Sequence, residues 1–134
     1  MSVAPLPPIT LDELLARFIT VKAWVRANQT IPQDAFIPPK DLQLSVTRHI
    51  HLTAAELRKI GQNVADQVTK TPKAPLHGRA DVRVHQVTAQ KLNTEAAPLA
   101  GNPNHAHVTG WPGEKSAQKI IALELAALAA YHPY

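Results

Sequence analysis

The residues of this chain best suited to chemistry are two His-x-His pairs, His49/His51 and His105/His107. Residues i and i+2 of a strand point to the same face, so each pair can offer two ring nitrogens to zinc, nickel or copper. Asp81 is the candidate carboxylate of such a site. We favour the alternative, in which the rings hydrogen-bond to neighbouring backbone, because a shared metal site also requires the two pairs to be adjacent. The sequence therefore predicts neither a metal nor a cofactor.

Two His-x-Thr triplets, His51-Leu52-Thr53 and His107-Val108-Thr109, suggest a second chemistry. Such triplets on adjacent strands resemble the two-histidine phosphoesterases. That resemblance implies one imidazole as general base, the other as general acid, and hydroxyls that hold phosphate oxygens. Arg48 or Arg79 would stabilise the developing charge. Against this hypothesis, Thr53 is also a predicted helix N-cap, and the chain has no internal repeat. If the protein is an enzyme, the predicted catalytic residues are Arg48, His49, His51, His105 and His107.

Residues 102–112 form a turn-rich segment that precedes the longest predicted helix. Asparagine side chains bond to their own backbone and proline fixes φ, so the segment is first of all a turn. In this interpretation His105 satisfies buried backbone groups. The following helix N-terminus, with Lys115 beside it, can also hold an anion. The candidate binding residues are Asn102, Asn104, His105, Trp111 and Lys115.

The composition indicates one folded domain. The 134 residues are 45% hydrophobic and 18% charged, and they include no cysteine, which excludes disulfides and thiolate sites. Fourteen basic against 10 acidic residues give a net charge of +4, which allows a nucleic-acid partner but does not require one. No apolar run approaches the ~20 residues of a membrane span. The sequence therefore predicts a soluble cytoplasmic protein that does not enter a membrane.

Hydrophobic periodicity and capping residues predict the secondary structure. Thr10–Glu13 and Thr53–Glu56 each match a capping box, which places a helix after each threonine. The predicted helices cover residues 11–18, 21–27, 54–69 and 114–131, and the predicted strands cover residues 41–48, 78–85, 96–99 and 105–109. The apolar stripe of the last helix is predicted to contain Ala117, Ile120, Ile121, Leu125 and Leu128.

These elements predict an α+β fold. A small, mostly antiparallel and possibly mixed sheet of three to five strands is packed by two main helices and an N-terminal helical segment. Residues 1–9 carry three prolines and are predicted to be an extended lead-in to a single domain of residues 10–134.

Several short motifs resemble a family of short bacterial proteins for which no activity is known. They are Arg17-Phe18, Trp24, Ala35-Phe36, the Leu-Ser-Val-x-Arg pattern at 44–48, the Asn-Pro-x-His-Ala pattern at 102–106 and a Lys/Ala-rich last helix. The likeness extends over roughly residues 14–130 and implies that His105 is more important than His107. It implies no activity, cofactor or catalytic residue.

The absence of a complete catalytic motif favours a non-catalytic function. We expect a small accessory or adaptor module that binds a protein partner within a bacterial multi-component system. The alternative is a histidine-dependent phosphoesterase or nuclease that uses the paired histidine motifs. The two hypotheses differ in whether the histidines converge in one open cleft with an arginine beside them.

Overall fold

An open, six-stranded antiparallel sheet organises residues 6–134, the part of the chain that the computed structural model describes. The strands are β1 (Leu14–Ile19), β2 (Leu44–Arg48), β3 (Gly78–Arg83), β4 (Asn93–Ala96), β5 (His105–Thr109) and β6 (Ala130–Pro133). Their order across the sheet is β4-β5-β2-β1-β3-β6. The helices are α1 (Ala54–Thr69), α2 (Val84–Ala89) and α3 (Lys115–Leu128), with 3₁₀ turns at Lys22–Trp24 and Gln33–Phe36. The α+β class with an antiparallel sheet is therefore confirmed, with six strands rather than three to five.

The larger core lies on the face of the sheet that α3 and the second 3₁₀ turn cover. Leu15 and Ile19 of β1 point into it, as do Leu44 and Val46 of β2, because alternate residues of a strand share a face. Phe36 of the 3₁₀ turn is 1% exposed and fills the centre of this core. Ala35 of the same turn is also buried in this core.

Helix α1 covers the opposite face of the sheet. Its Leu57 packs against Ala16 and Phe18 of β1 in a second, smaller core. The helix approaches β1 closely, since a Cβ atom on Gly61 would lie 2.6 Å from the Phe18 ring. Thr53 caps the helix as predicted: its hydroxyl accepts from the Glu56 amide at 3.1 Å, and the Thr53 amide donates to the Glu56 carboxylate at 3.0 Å.

The predicted N-terminal helix over residues 11–18 is wrong, because those residues lead into and form the central strand β1. All six residues of β1 pair with β3. Leu15 and Ile19 are buried on one face and Ala16 and Phe18 on the other, which gives a continuous apolar run that also matches a helical spacing. Glu13 Oε2 accepts from the Thr10 amide at 3.3 Å, which is one of the two contacts of the capping box, but the carboxylate also binds Arg48 and no helix follows. Sheet pairing therefore overrides the local helix signal.

The buried side of α3 also differs from the prediction. Gln118, Ala122, Leu125 and Ala126 are its buried residues, whereas Ile120 and Leu128 of the predicted stripe are exposed. The buried alanines, Ala122 and Ala126, have small side chains, and the helix lies close to the 3₁₀ turn at Gln33–Phe36. Ile120, Leu123 and Leu128 face away from the core, whereas Leu125 points into it.

Two further boundaries differ from the prediction. β3 ends at Arg83 and the chain turns directly into α2, so His85 is helical rather than the last residue of a strand. Ala130–Pro133, which no sequence pattern predicted as a strand, forms the edge strand β6. Of the proline-rich lead-in, residues 1–5 lie outside the described part of the chain. Within residues 6–134, no helix is both long enough and apolar enough to cross a membrane.

Candidate functional site

The sheet splays between β1 and β2. Their register contains two residue pairs, Leu15 with Arg48 and Ala16 with Thr47. β1 stays paired with β3 over six residues, and β2 stays paired with β5 over four. The strands β1 and β2 therefore separate beyond the Ala16–Thr47 pair, so that residues 17–19 of β1 and 44–46 of β2 each pair with their other neighbour alone. This separation opens a gap in the middle of the sheet.

The side chain of Arg17 occupies the gap. Its Nε donates to the Ala35 carbonyl at 2.8 Å and its Nη1 donates to the Ser45 carbonyl at 3.1 Å, so it connects β1 to β2 where the ladder has ended. Its Cζ lies 5.1 Å from the centre of the Trp24 ring, within the range of a cation–π contact. Burial lowers the pKa of Arg17 to about 10, so the guanidinium is charged at neutral pH.

A cleft of about 310 Å³ lies over this gap, between the splayed strands and α1. Its apolar wall is formed by Phe18 of β1 and by Ile60, Val64 and Val68 of α1. Val68 and Leu99 line the cleft and are 64% and 54% exposed, although large apolar side chains usually lie inside a fold. We call this feature, together with its polar residues Arg17, Ser45, Thr47, Asn102 and His105, the splay cleft.

Asn102 contributes an unsatisfied polar atom to the splay cleft. The residue is 8% exposed, and its Nδ2 donates to the Thr47 hydroxyl at 3.4 Å. Its Oδ1 is fully enclosed and has no hydrogen-bond partner within residues 6–134. A buried acceptor without a donor costs about 1–3 kcal/mol. Because no solvent reaches Oδ1, the Asn102 amide has to turn towards the cleft before a bound group can donate to it, and that hydrogen bond would then remove this cost.

His105 presents a second acceptor. Its Nδ1 lies 2.8 Å from the Ala97 carbonyl, and because a carbonyl only accepts, this nitrogen carries the proton. Burial lowers the pKa of His105 below its ordinary 6.5, and His107 acts in the same direction. The ring is therefore neutral at pH 7, and its Nε2, which has no hydrogen bond within the described residues, is an acceptor. The prediction that His105 satisfies a backbone group therefore holds for Nδ1, and Nε2 is left without such a partner within residues 6–134.

The four histidines of the predicted His-x-His pairs do not meet. His105 and His107 share a face of β5, with their ring centres 4.8 Å apart. β2 ends at Arg48, however, so His49 and His51 are not consecutive positions of one strand face. His51 is exposed in the following turn, where its φ is 61°. His107 lies opposite Ser45, three residues and about 10 Å before the end of β2, which separates it further from His51.

His49 belongs instead to a cluster around Asp81. The Asp81 carboxylate is 4% exposed and lies 3.0 Å from His49 Nε2, 3.1 Å from Arg79 Nε and 3.4 Å from His132 Nε2. Arg79 and Asp81 lie two residues apart on β3, so this ion pair forms within one strand. Within residues 6–134, no group of three or more histidine, aspartate or glutamate side chains is arranged to hold a metal ion.

The Asp81 cluster and the splay cleft are separate sites. Asp81, Ala16, Thr47 and His105 lie opposite one another on β3, β1, β2 and β5. Three strand spacings place Asp81 and His105 about 14 Å apart. Leu57 of α1 covers Ala16 between them. His49 and Asp81 therefore cannot act on a group bound beside His105.

Two other predicted site residues, Arg48 and Asn104, stabilise the fold. Arg48 is enclosed with Glu13, and its Nη2 also donates to the Pro7 carbonyl at 2.7 Å. Asn104 Nδ2 donates to the backbone carbonyls of Arg48 and Ile50 at 2.9 and 2.7 Å, which holds the turn after β2. Each of these side chains is buried and has its partners within the chain.

The last two predicted binding residues lie away from the splay cleft. Trp111 is buried in the larger core and its Nε1 donates to the Val108 carbonyl at 3.0 Å. Lys115 is the exposed first residue of α3. Of the five predicted binding residues, the structure brings Asn102 and His105 together in the splay cleft.

The sequence analysis did not identify Arg17 or the α1 wall as parts of a site. The signal for Arg17 was a single charged residue inside the apolar run Leu14–Ile19. The signal on α1 was missed because an apolar helical stripe also indicates a core face.

Comparisons with protein-family models, with curated proteins and with solved structures gave no match. The resemblance to a family of short bacterial proteins therefore stays a prediction.

Proposed function

We propose that this protein is a non-catalytic binding module that holds a small organic ligand in the splay cleft. The observation that carries the proposal is the enclosed Oδ1 of Asn102, an acceptor without a donor at the wall of a cleft of about 310 Å³. Sites for small molecules have volumes from about 300 Å³, mostly apolar walls and a few convergent polar groups. The splay cleft has each of these properties. An accessory role in a larger system is compatible with binding of this kind.

The phosphoesterase alternative has less support. That chemistry requires two imidazoles that face one phosphorus atom from opposite sides. His51 is exposed in the turn after β2, whereas His107 is half-buried on β5 opposite Ser45. Arg48, the arginine nearest to His49 in the chain, is enclosed by Glu13. A ligand in the splay cleft therefore meets hydrogen-bond acceptors but no paired acid and base.

A neutral probe tests the proposal. We expect 4-hydroxyphenylacetamide, which has an apolar ring and a donor hydroxyl, to shift the backbone amide signals of residues 60–68 and 99–105 in a ¹⁵N-resolved NMR titration. Asn102→Leu removes the free acceptor, and the loss of one hydrogen bond of about 1 kcal/mol should weaken binding by about fivefold to tenfold.

Two further variants accompany this titration, one as a matched control and one as an independent test of the cleft. Asn93→Leu makes the same chemical change at an exposed position of β4 and should leave the affinity unchanged. Val68→Glu alters an exposed cleft residue without disturbing the core, and it should weaken binding even if Asn102→Leu fails to fold. Shifts that stay outside the two segments, or equal affinity in wild type and Val68→Glu, would contradict the proposal.

A second candidate function, binding of a protein partner, is favoured by the outer face of α3. Ile120, Leu123 and Leu128 are 66%, 51% and 48% exposed and lie on one side of the helix. We propose this face as the surface that takes an apolar helix or groove of a protein partner. Its place on α3, on the other side of the sheet from α1, leaves the splay cleft free.

Co-purification with matched variants tests the second candidate. We expect a partner retained by wild type and by Val68→Glu to be lost from Ile120→Glu/Leu123→Glu, quantified by mass spectrometry. The α3 variant should keep the wild-type melting temperature, because both side chains are exposed. Retention of the same partner by the α3 variant would show that this face does not bind it.

A further inference from the structure

The splay cleft has one charged side chain. Among its lining residues, Arg17 is charged at neutral pH, His105 is neutral, and none is an aspartate, a glutamate or a lysine. The cleft therefore has a net positive charge in a mostly apolar setting, where Coulomb interactions are stronger than in water.

Arg17 has no acidic partner within residues 6–134. Its two described side-chain hydrogen bonds use Nε and Nη1 and end on backbone carbonyls, so they leave Nη2 unused. Burying a charge without a counter-charge is costly, and buried arginines are ordinarily paired. Arg48 of the same sheet follows this rule, since it is enclosed together with Glu13. Arg17 is half-buried at the splay cleft and has no such carboxylate among the described residues, so its guanidinium is available to a partner from outside the chain.

The acceptors of the cleft lie beyond Arg17 along β2. Arg17 contacts the Ser45 carbonyl and Asn102 contacts the Thr47 hydroxyl. Ser45 and Thr47 are two residues apart, which is about 7 Å along a strand. One end of the cleft therefore offers a cation, and the other end offers the Asn102 Oδ1 and His105 Nε2 acceptors, with the apolar side chains of α1 above both.

We propose that the ligand of the splay cleft is an organic carboxylate with a compact apolar body and a hydroxyl group at its far end. The carboxylate pairs with Arg17, the body lies under Ile60 and Val64, and the hydroxyl donates to Asn102 or His105. A carboxylate can accept hydrogen bonds from the Arg17 guanidinium, because the described bonds of Arg17 leave Nη2 without a partner. This inference rests on the proposed function and names its ligand class.

A pair of probes that differ in charge tests the inference. We expect 4-hydroxyphenylacetate to bind wild type at least about tenfold more tightly than 4-hydroxyphenylacetamide in the same NMR titration, and added salt to reduce this ratio. Equal affinity of the two probes at the cleft would overturn the carboxylate assignment and leave the proposed function standing. Failure of both probes to bind would overturn both proposals.

Variants test whether Arg17 is the source of the preference for the carboxylate probe. Arg17→Gln should reduce the ratio to about one, Arg17→Lys should keep part of it, and Arg58→Gln, an exposed position on α1, should leave it unchanged. Because Arg17→Gln also removes two hydrogen bonds to carbonyls, the wild-type probe pair and its salt dependence decide the test if that variant does not fold. A preference for carboxylate that persists in folded Arg17→Gln would exclude Arg17 as its source.

Phenylacetate, which lacks the hydroxyl, tests the hydroxyl group of the proposed ligand. It should bind more weakly than 4-hydroxyphenylacetate, and equal affinity would remove the hydroxyl from the inference.

Discussion

Glu13→Gln is expected to lower the free energy of unfolding by about 3 kcal/mol, the largest effect of any single charge in the chain. The side chains of Arg48 and Glu13 are 3% and 6% exposed, so neither charge is compensated by water. The Arg48 guanidinium contacts both carboxylate oxygens and also binds the Pro7 carbonyl. Glutamine has the shape of glutamate but no charge, and it leaves a buried guanidinium without its counter-charge.

Urea denaturation of a mutant cycle measures this effect. Replacing both residues, as Glu13→Gln with Arg48→Met, should recover most of the lost stability, because removing both charges also removes the desolvation cost. Glu95→Gln, at an exposed position of β4, is the matched control and should change stability by less than about 0.5 kcal/mol. A loss below about 1 kcal/mol for Glu13→Gln would show that Arg48 does not depend on the charge of Glu13 for its stability in the folded protein.

Asp81→Asn is expected to cost about 2 kcal/mol of stability and to leave binding in the splay cleft unchanged. The carboxylate is 4% exposed and is the shared partner of Arg79, His49 and His132. Arg79 and His49 keep 16% and 20% of their side-chain surface, so water compensates part of the loss and the effect is smaller than at Glu13. The distance of about 14 Å to His105 is the reason that binding should not respond.

Thermal unfolding and the probe titration together separate a structural from a functional role of Asp81. Asp12→Asn makes the same change at an exposed position and should leave both measurements as in wild type. If Asp81→Asn weakened probe binding at the cleft while the protein stayed folded, the two sites would be coupled. A change of less than about 0.5 kcal/mol would mean that the cluster around Asp81 does not stabilise the fold.

The parts of the fold that the sequence predicted are those with local physical causes. The α1 boundaries follow from a reciprocal cap between Thr53 and Glu56, three residues apart. His105 and His107 share a face because alternation is a property of any strand. By contrast, Thr10–Glu13 matched the same capping pattern and failed. There, Glu13 still accepts from the Thr10 amide, but its carboxylate also binds Arg48, 35 residues away, and pairing with β3 fixes the following residues as a strand.

By itself, the sequence determined the α+β class, the main helix with its cap and two of the residues at the candidate site, Asn102 and His105. Only the tertiary structure decided which charges are paired. Arg17 and Arg48 are both arginines of apolar strands, yet Arg48 meets Glu13 while Arg17 lies in a gap where β1 and β2 separate. That difference depends on which distant segments lie opposite each other, since desolvation and pairing are set by neighbours in space. The splay cleft exists for the same reason, because its walls come from four segments, 17–24, 45–47, 60–68 and 99–105, that no local pattern connects.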